Sequence, residues 1–171
     1  VANLIDTYLT DIRTKILANQ NLCKYIYYNS RNPLAQPDIA DTKAVLCDDK
    51  RNRKIFFTPF SVDTTDETKT TLTVTVDRFK PDSSTYFEDM VIYFTIACNV
   101  RLWELNDGTE GIVLRPNGIW DELNKTFKRE RTVGLGKNHF QSGYIQKFND
   151  YFWGYNYCLT AKDFPILGQD E

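Results

Sequence analysis

Arg131 to Lys137, RTVGLGK, comes nearest to recognisable chemistry, because glycines beside a lysine are the composition of a loop that wraps phosphate. A P-loop needs glycine, four residues, then Gly-Lys-Ser/Thr, so that backbone N–H groups cradle the anion and a hydroxyl reaches magnesium. Here Gly136-Lys137 is followed by Asn138, and Arg131 stands where the first glycine belongs. The expected helix also precedes the loop, whereas phosphate binding uses the N-terminus of a helix that follows it. The match to a nucleotide loop therefore fails at both ends.

Other catalytic sets are equally incomplete. His139 is the single histidine, so any Ser-His or Cys-His pair would rest on it alone, and no G-x-S-x-G elbow accompanies it. The carboxylates Asp121-Glu122 and Glu88-Asp89 are adjacent pairs, whose side chains point in different directions on a helix or strand. Cys23, Cys47, Cys98 and Cys158 are scattered without a C-x-x-C pair, which offers no zinc spacing and suits small buried hydrophobes in a reducing cytoplasm. The expectation is a protein without catalytic residues, bound cofactor or metal.

Arg129, Arg131, Gly134, Gly136 and Lys137 read better as a docking loop. Arginine forks pair with carboxylates on a partner, and the two glycines allow close backbone approach. The alternative is a helix-ending loop with solvated charge. The other basic run, Asp48 to Lys54, reads as a solvated face. Asn124-Lys125-Thr126 matches a glycosylation sequon, but it falls inside an expected helix.

The elements that position these residues follow from periodicity. Leu4, Ile5, Tyr8, Leu9, Ile12, Ile16 and Leu17 give one apolar stripe and predict a helix over 2–18. Asn21 is placed to cap a short helical turn through Tyr28, and Arg31-Asn32-Pro33 stops it. Residues 29–53 are polar and irregular, a long connection. Ile55 to Phe60 predicts a short strand and Thr71 to Val76 a period-2 strand, joined as a hairpin through the polar segment Asp63 to Thr68. After the turn Pro81 to Ser84, the alternation of Ile92, Phe94, Ile96, Cys98, Val100 and Leu102 predicts the longest strand. Asn106 to Thr109 makes a turn. A helix over Gly118 to Lys128, capped by Asn117, carries Ile119, Trp120, Leu123 and Phe127 on one side. Tyr151 to Leu159 predicts a closing strand with one aromatic face.

This order, α-β-β-β-α-β, predicts an α+β fold: a two-layer sandwich with a mostly antiparallel sheet of four or more strands and two flanking helices. Residues 1–171 are expected to form one domain, the size at which a single core is usual. Lys plus Arg total 21 and Asp plus Glu 23, a formal charge of −2, which argues against a protein whose main task is gripping nucleic acid. Aromatic residues make up 14% of the chain, enough to supply both a β-rich core and protein–protein contacts. No apolar run approaches the ~20 residues that span a bilayer, so no membrane partner is expected and the chain is expected to work in solution.

An amphipathic helix, an irregular segment, a hairpin, a long strand, then a D-E-L-x-x-x-F helix (Asp121 to Phe127), R-x-x-G-L-G-K (Arg131 to Lys137) and a closing strand together resemble the small neck proteins of tailed bacteriophages. The tail-terminator, or tail-completion, type is the nearest. The resemblance spans roughly Leu4 to Phe164, with its specific motif between Trp120 and Lys137. It implies a non-enzymatic virion subunit, assembled in the host cytoplasm into a ring, usually a hexamer. Such a ring caps the tail tube, meets the tail sheath where the tail is contractile, offers a surface to the head connector, and passes genome DNA through its lumen. Another neck, collar, stopper or baseplate subunit is the second reading. A small enzyme, or a nucleic-acid module using Lys125, Lys128, Arg129 and Arg131, is the third.

Overall fold

The computed structural model describes residues 4–59, 67–81, 87–128 and 138–165. Two helices open the chain, α1 (Leu4–Ala18) and α2 (Gln20–Tyr27), and a single π-helical turn at Ala44–Asp48 follows in the irregular segment. Strands β1 (Ile55–Phe56), β2 (Thr70–Pro81) and β3 (Phe87–Asn99) come next. A short pair, β4 (Glu104–Leu105) and β5 (Val113–Leu114), leads into α3 (Arg115–Phe127), and β6 (Asn138–Lys147) and β7 (Phe152–Pro165) close the fold. The main sheet has the order β1-β2-β3-β7-β6, antiparallel except for β1 against β2. This is the expected α+β sandwich, with a helical layer of three because the turn expected at Asn21 to Tyr28 is a complete helix.

The helical stripe and the strand alternation meet in one core. Tyr8, Ile12 and Ile16 of α1, Leu22 and Ile26 of α2, and Ile119, Leu123 and Phe127 of α3 pack against Leu72, Val74, Ile92, Phe94, Ile96, Tyr157 and Leu159. Each fully buried aliphatic side chain of this kind contributes about 1.5–3 kcal/mol. The opposite face of the sheet carries hydroxyl and amide groups: the Thr95 hydroxyl donates to Asn156 Oδ1 at 3.0 Å, and Asn156 Nδ2 donates to Tyr144 Oη at 2.7 Å. Gly154 of β7 lies so close to β3 that a Cβ there would stand 1.7 Å from the Ile96 carbonyl oxygen. Strand spacing at that point requires glycine.

Several boundaries differ from the sequence expectation, each for a local reason. Asn19, not Asn21, caps α2: its Oδ1 accepts the Leu22 N–H at 3.0 Å. Helix α3 starts at Arg115 rather than Gly118, because Pro116 occupies the first turn where no N–H is needed, and Asn117 supplies no cap. Strand β3 ends at Asn99, whose side chain accepts the Arg101 N–H at 3.0 Å and turns the chain into a 3-10 turn over Val100–Leu102. Val100 is 45% exposed there, while Leu102 is buried again within the 3-10 turn, so the strand alternation ends at Cys98.

The expected hairpin between Ile55 and Val76 is also corrected. Ile55 pairs with Leu72 and Phe56 with Thr73 in parallel, and the Leu72 N–H donates to the Lys54 carbonyl at 2.8 Å. A hairpin requires antiparallel neighbours. The antiparallel partner of β2 is β3, in register from Thr70↔Cys98 to Pro81↔Glu88, with one irregularity between Val76 and Arg78.

Candidate functional site

The docking residues read from the sequence, Arg129, Arg131, Gly134, Gly136 and Lys137, lie outside the described residues. Their flanks are defined. Helix α3 ends at Phe127, where the Lys128 N–H returns to the Asn124 carbonyl at 2.8 Å, and β6 begins at Asn138. The backbone of His139 pairs with Thr160 in the sheet. Of the basic residues ahead of the loop, Lys125 is ion-paired with Glu122 at 2.7 Å, and this raises its pKa. Glu122 is itself buried, and Asn19 Nδ2 donates to its carboxylate at 3.1 Å and to the Thr126 hydroxyl at 2.9 Å. Glu122 thus fastens α3 to the α1–α2 junction, while Asp121 beside it is exposed.

Sequence reasoning missed β6, which forms one margin of the sheet. It hydrogen-bonds to β7 on one side, and among the described residues nothing pairs with its outer side. Tyr144 and Ile145 are 53% and 57% exposed. Ile145 lies opposite Tyr155, and Lys147 opposite Trp153, on the helix-bearing face. The Lys147 ammonium sits 5.6 Å from the Trp153 ring centroid, and the Trp103 ring is 6.3 Å from that of Tyr155. Val100, Trp103 and Trp153 line a shallow apolar depression of about 180 Å³. The edge that no described strand pairs thus lies beside two partly exposed tryptophans. At the other margin β1 covers Leu72 and Thr73 of β2, and the rest of that strand's outer edge meets no described strand.

A second feature is buried cationic charge. Arg115 is fully buried, and its guanidinium meets main-chain carbonyls: Nε donates to Leu102 O at 3.0 Å, and the terminal nitrogens donate to Tyr25, Tyr28 and Ser30, the Tyr28 bond being 2.9 Å. Tyr25 and Tyr28 lie at the C-terminal end of α2, where the helix dipole favours a cation. Burial pulls the Arg115 pKa below its ordinary value. Lys54 stands at the same helix end, with Nζ donating to Tyr27 O at 2.7 Å and lying 5.5 Å from the Tyr27 ring centroid. Desolvation first, then the charge of Arg115, brings the Lys54 ammonium down to about 8. The sequence expectation of a solvated face over Asp48 to Lys54 therefore fails at its last residue. The main-chain bonds of Lys54 to Leu46 and Leu72 hold it between the π-helical turn and the sheet.

Lys54 opens on a polar cleft of about 330 Å³, walled by Tyr27 and Asn29, by residues 49 and 51–54, and by Glu67, Thr68 and Lys69. Both acids in it are occupied. Asp49 accepts from the Arg51 and Asn52 N–H groups and from Asn52 Nδ2, which lowers its pKa, and Glu67 pairs with Lys69 at 2.7 Å. None of the four cysteines is in a disulfide, and all four are buried, as the sequence suggested. Among the described residues no three His, Cys, Asp or Glu side chains group as metal ligands, and no helix is long and apolar enough to cross a membrane.

Residues 19–161 match a family model described as YomW. The matched span runs from the cap of α2 into β7 and takes in both the cleft and the open edge. No curated protein matches the chain.

Proposed function

The chain belongs to the YomW family, a phage-associated family, and from that premise we propose that it is a structural virion protein of a tailed phage. In this reading it forms a ring at the tail end or neck, terminates the tail tube and joins it to the head connector. It transforms no substrate; its chemistry is that of fitting against copies of itself and adjoining parts.

The observation that carries the reading is the pair of open margins. The long strands β2, β3, β7 and β6 alternate in direction, so β2 and β6 run opposite ways. When copies stand side by side in one orientation, β6 of one meets the outer edge of β2 in the next as an antiparallel neighbour. Such a contact uses different patches on the two sides, and it closes into a ring when its rotation closes. The exposed Ile145 and the depression at Trp103 and Trp153 supply apolar area beside that junction. The formal charge of −2 suits a conduit through which DNA must slide.

The same margins would serve another symmetric virion part, such as a stopper, collar or baseplate subunit, and position in the particle separates these. Electron microscopy of purified protein, alone and mixed with the phage's tail-tube protein, is the direct test. Closed rings on tube ends are expected. A protein that stays monomeric at high concentration in both samples overturns the proposal.

A further inference from the structure

We propose that the cleft between the end of α2, the turn at residues 49–54 and the start of β2 binds a phosphate-class oxyanion, with Lys54, Arg51 and Arg53 as its cationic contacts. The inference stands apart from ring assembly and rests on cationic side chains that no described carboxylate contacts directly. Lys54 and Arg115 are held by neutral carbonyl groups, and among the described residues no carboxylate pairs with either of them, or with Arg51 or Arg53. The two acids within reach are committed, Asp49 to its own turn and Glu67 to Lys69. A cleft with a half-buried ammonium and engaged acids attracts an anion, because a partly desolvated ammonium gains from an opposite charge.

The shape narrows the class. A carboxylate has two oxygens in one plane and satisfies one fork. Here Arg51, Arg53 and Lys54 all line one cleft, and three cationic side chains on one cleft favour an anion with more than two oxygens. Asn29 and Asn52 stand in the same walls as neutral donors; Asn29 Nδ2 already holds Thr68 O at 2.7 Å, which keeps that wall in place. At about 330 Å³ the cleft is of small-ligand size, able to take one or two phosphate groups and too small for a duplex. Lys54 titrates near 8, so it carries its charge at neutral pH, and a bound anion would hold that proton more tightly.

Titration calorimetry with inorganic pyrophosphate at low salt tests the site in the whole protein. Saturable binding is expected in the unmodified chain, weakened at least tenfold in Lys54→Met and in the double variant Arg51→Gln/Arg53→Gln. Both arginines are exposed, so the double variant keeps its fold and decides the matter if Lys54→Met does not. Competition then identifies the source: displacement of pyrophosphate by a short oligo-dT assigns the site to a nucleic-acid backbone, and no displacement assigns it to a free phosphorylated ligand. Absence of saturable pyrophosphate binding at millimolar concentration, or binding unchanged in the double variant, overturns the proposal.

Discussion

The indole of Trp120 on α3 lies 3.9 Å, centroid to centroid, from the ring of Tyr157 on β7, and within 16° of parallel to it. The same indole meets Phe140 of β6 edge-on at 4.5 Å and 79°. Tyr157 continues the row to Tyr155 at 5.6 Å, and Phe140 continues it to Phe94 at 6.1 Å. One aromatic run therefore joins the helical layer to the half of the sheet that ends in the open strand. Gly143 makes room for it: a Cβ there would stand 2.5 Å from the Tyr157 ring. The tyrosine covers the backbone of β6 where that strand has no side chain of its own.

Trp120→Ala removes the bridge between α3 and the β6 margin. Truncating a large packed aromatic costs about 3–5 kcal/mol, and Trp120 is partly buried, so a loss near the lower end is expected. Gly143→Val forces the Tyr157 ring off its stack and is expected to cost about 1–3 kcal/mol. Urea denaturation followed by tryptophan fluorescence measures both. A midpoint unchanged by Trp120→Ala would mean that the row carries no stability.

How far the fold could be read in advance depended on burial pattern. The stripe Tyr8, Ile12, Ile16 and the alternation Leu72-Val74 and Ile92 to Cys98 are legible because each element buries one face. Strand β6 is not, because Gln141 to Ile145 are exposed on both faces and their polarity follows no period. The parallel direction of β1 is silent as well, since alternation is the same for either direction. Arg115 and Lys54 look like ordinary surface charge in sequence. Their partners are carbonyls, which every residue owns, and three of those around Arg115 lie 85 to 90 positions earlier.

Arg115→Met tests whether this buried guanidinium is structural. The thioether fills much of the volume but leaves four carbonyls of α2, the following loop and the 3-10 turn without their donor. Each buried orphaned acceptor costs about 1–3 kcal/mol, and the segments can relax toward water, so a total loss of about 3–5 kcal/mol is expected. Arg115→Lys restores the charge on one compact ammonium that cannot span all four carbonyls, and should recover a minor part. Thermal melts of the three proteins check the order; equal melting of Arg115→Met and the unmodified chain would remove Arg115 from any structural role.

Alkaline pH separates the half-buried lysine from the buried thiols. Lys54 binds its proton less tightly folded, near 8, than its ordinary value of 10.5, so the unfolded chain holds the extra proton between those values and stability rises with pH there. Cys23 and Cys98 are pushed up by desolvation from 9.0 to about 12 and about 11, so above 9 the unfolded thiols lose protons that the folded ones keep, and stability falls. A urea midpoint that climbs from pH 8 to 9 and declines beyond it is expected. Lys54→Met should abolish the climb and retain the decline. A midpoint falling steadily from pH 8 in the unmodified protein would contradict the lowered pKa of Lys54.

Ile145→Lys addresses the open margin with the least disturbance to the subunit. Ile145 is 57% exposed, so the change should move monomer stability by no more than about 0.5 kcal/mol. Lysine on an edge strand is a natural block to strand addition, because its charge must be desolvated when a neighbour pairs there. Sedimentation velocity should therefore show assemblies of the unmodified chain reduced to monomer in the variant, with matching thermal melts. Val100→Lys, beside the Trp103 and Trp153 depression, should weaken assembly by the same route without touching a strand edge. Assemblies that persist unchanged in both variants would place the subunit contact elsewhere on the molecule.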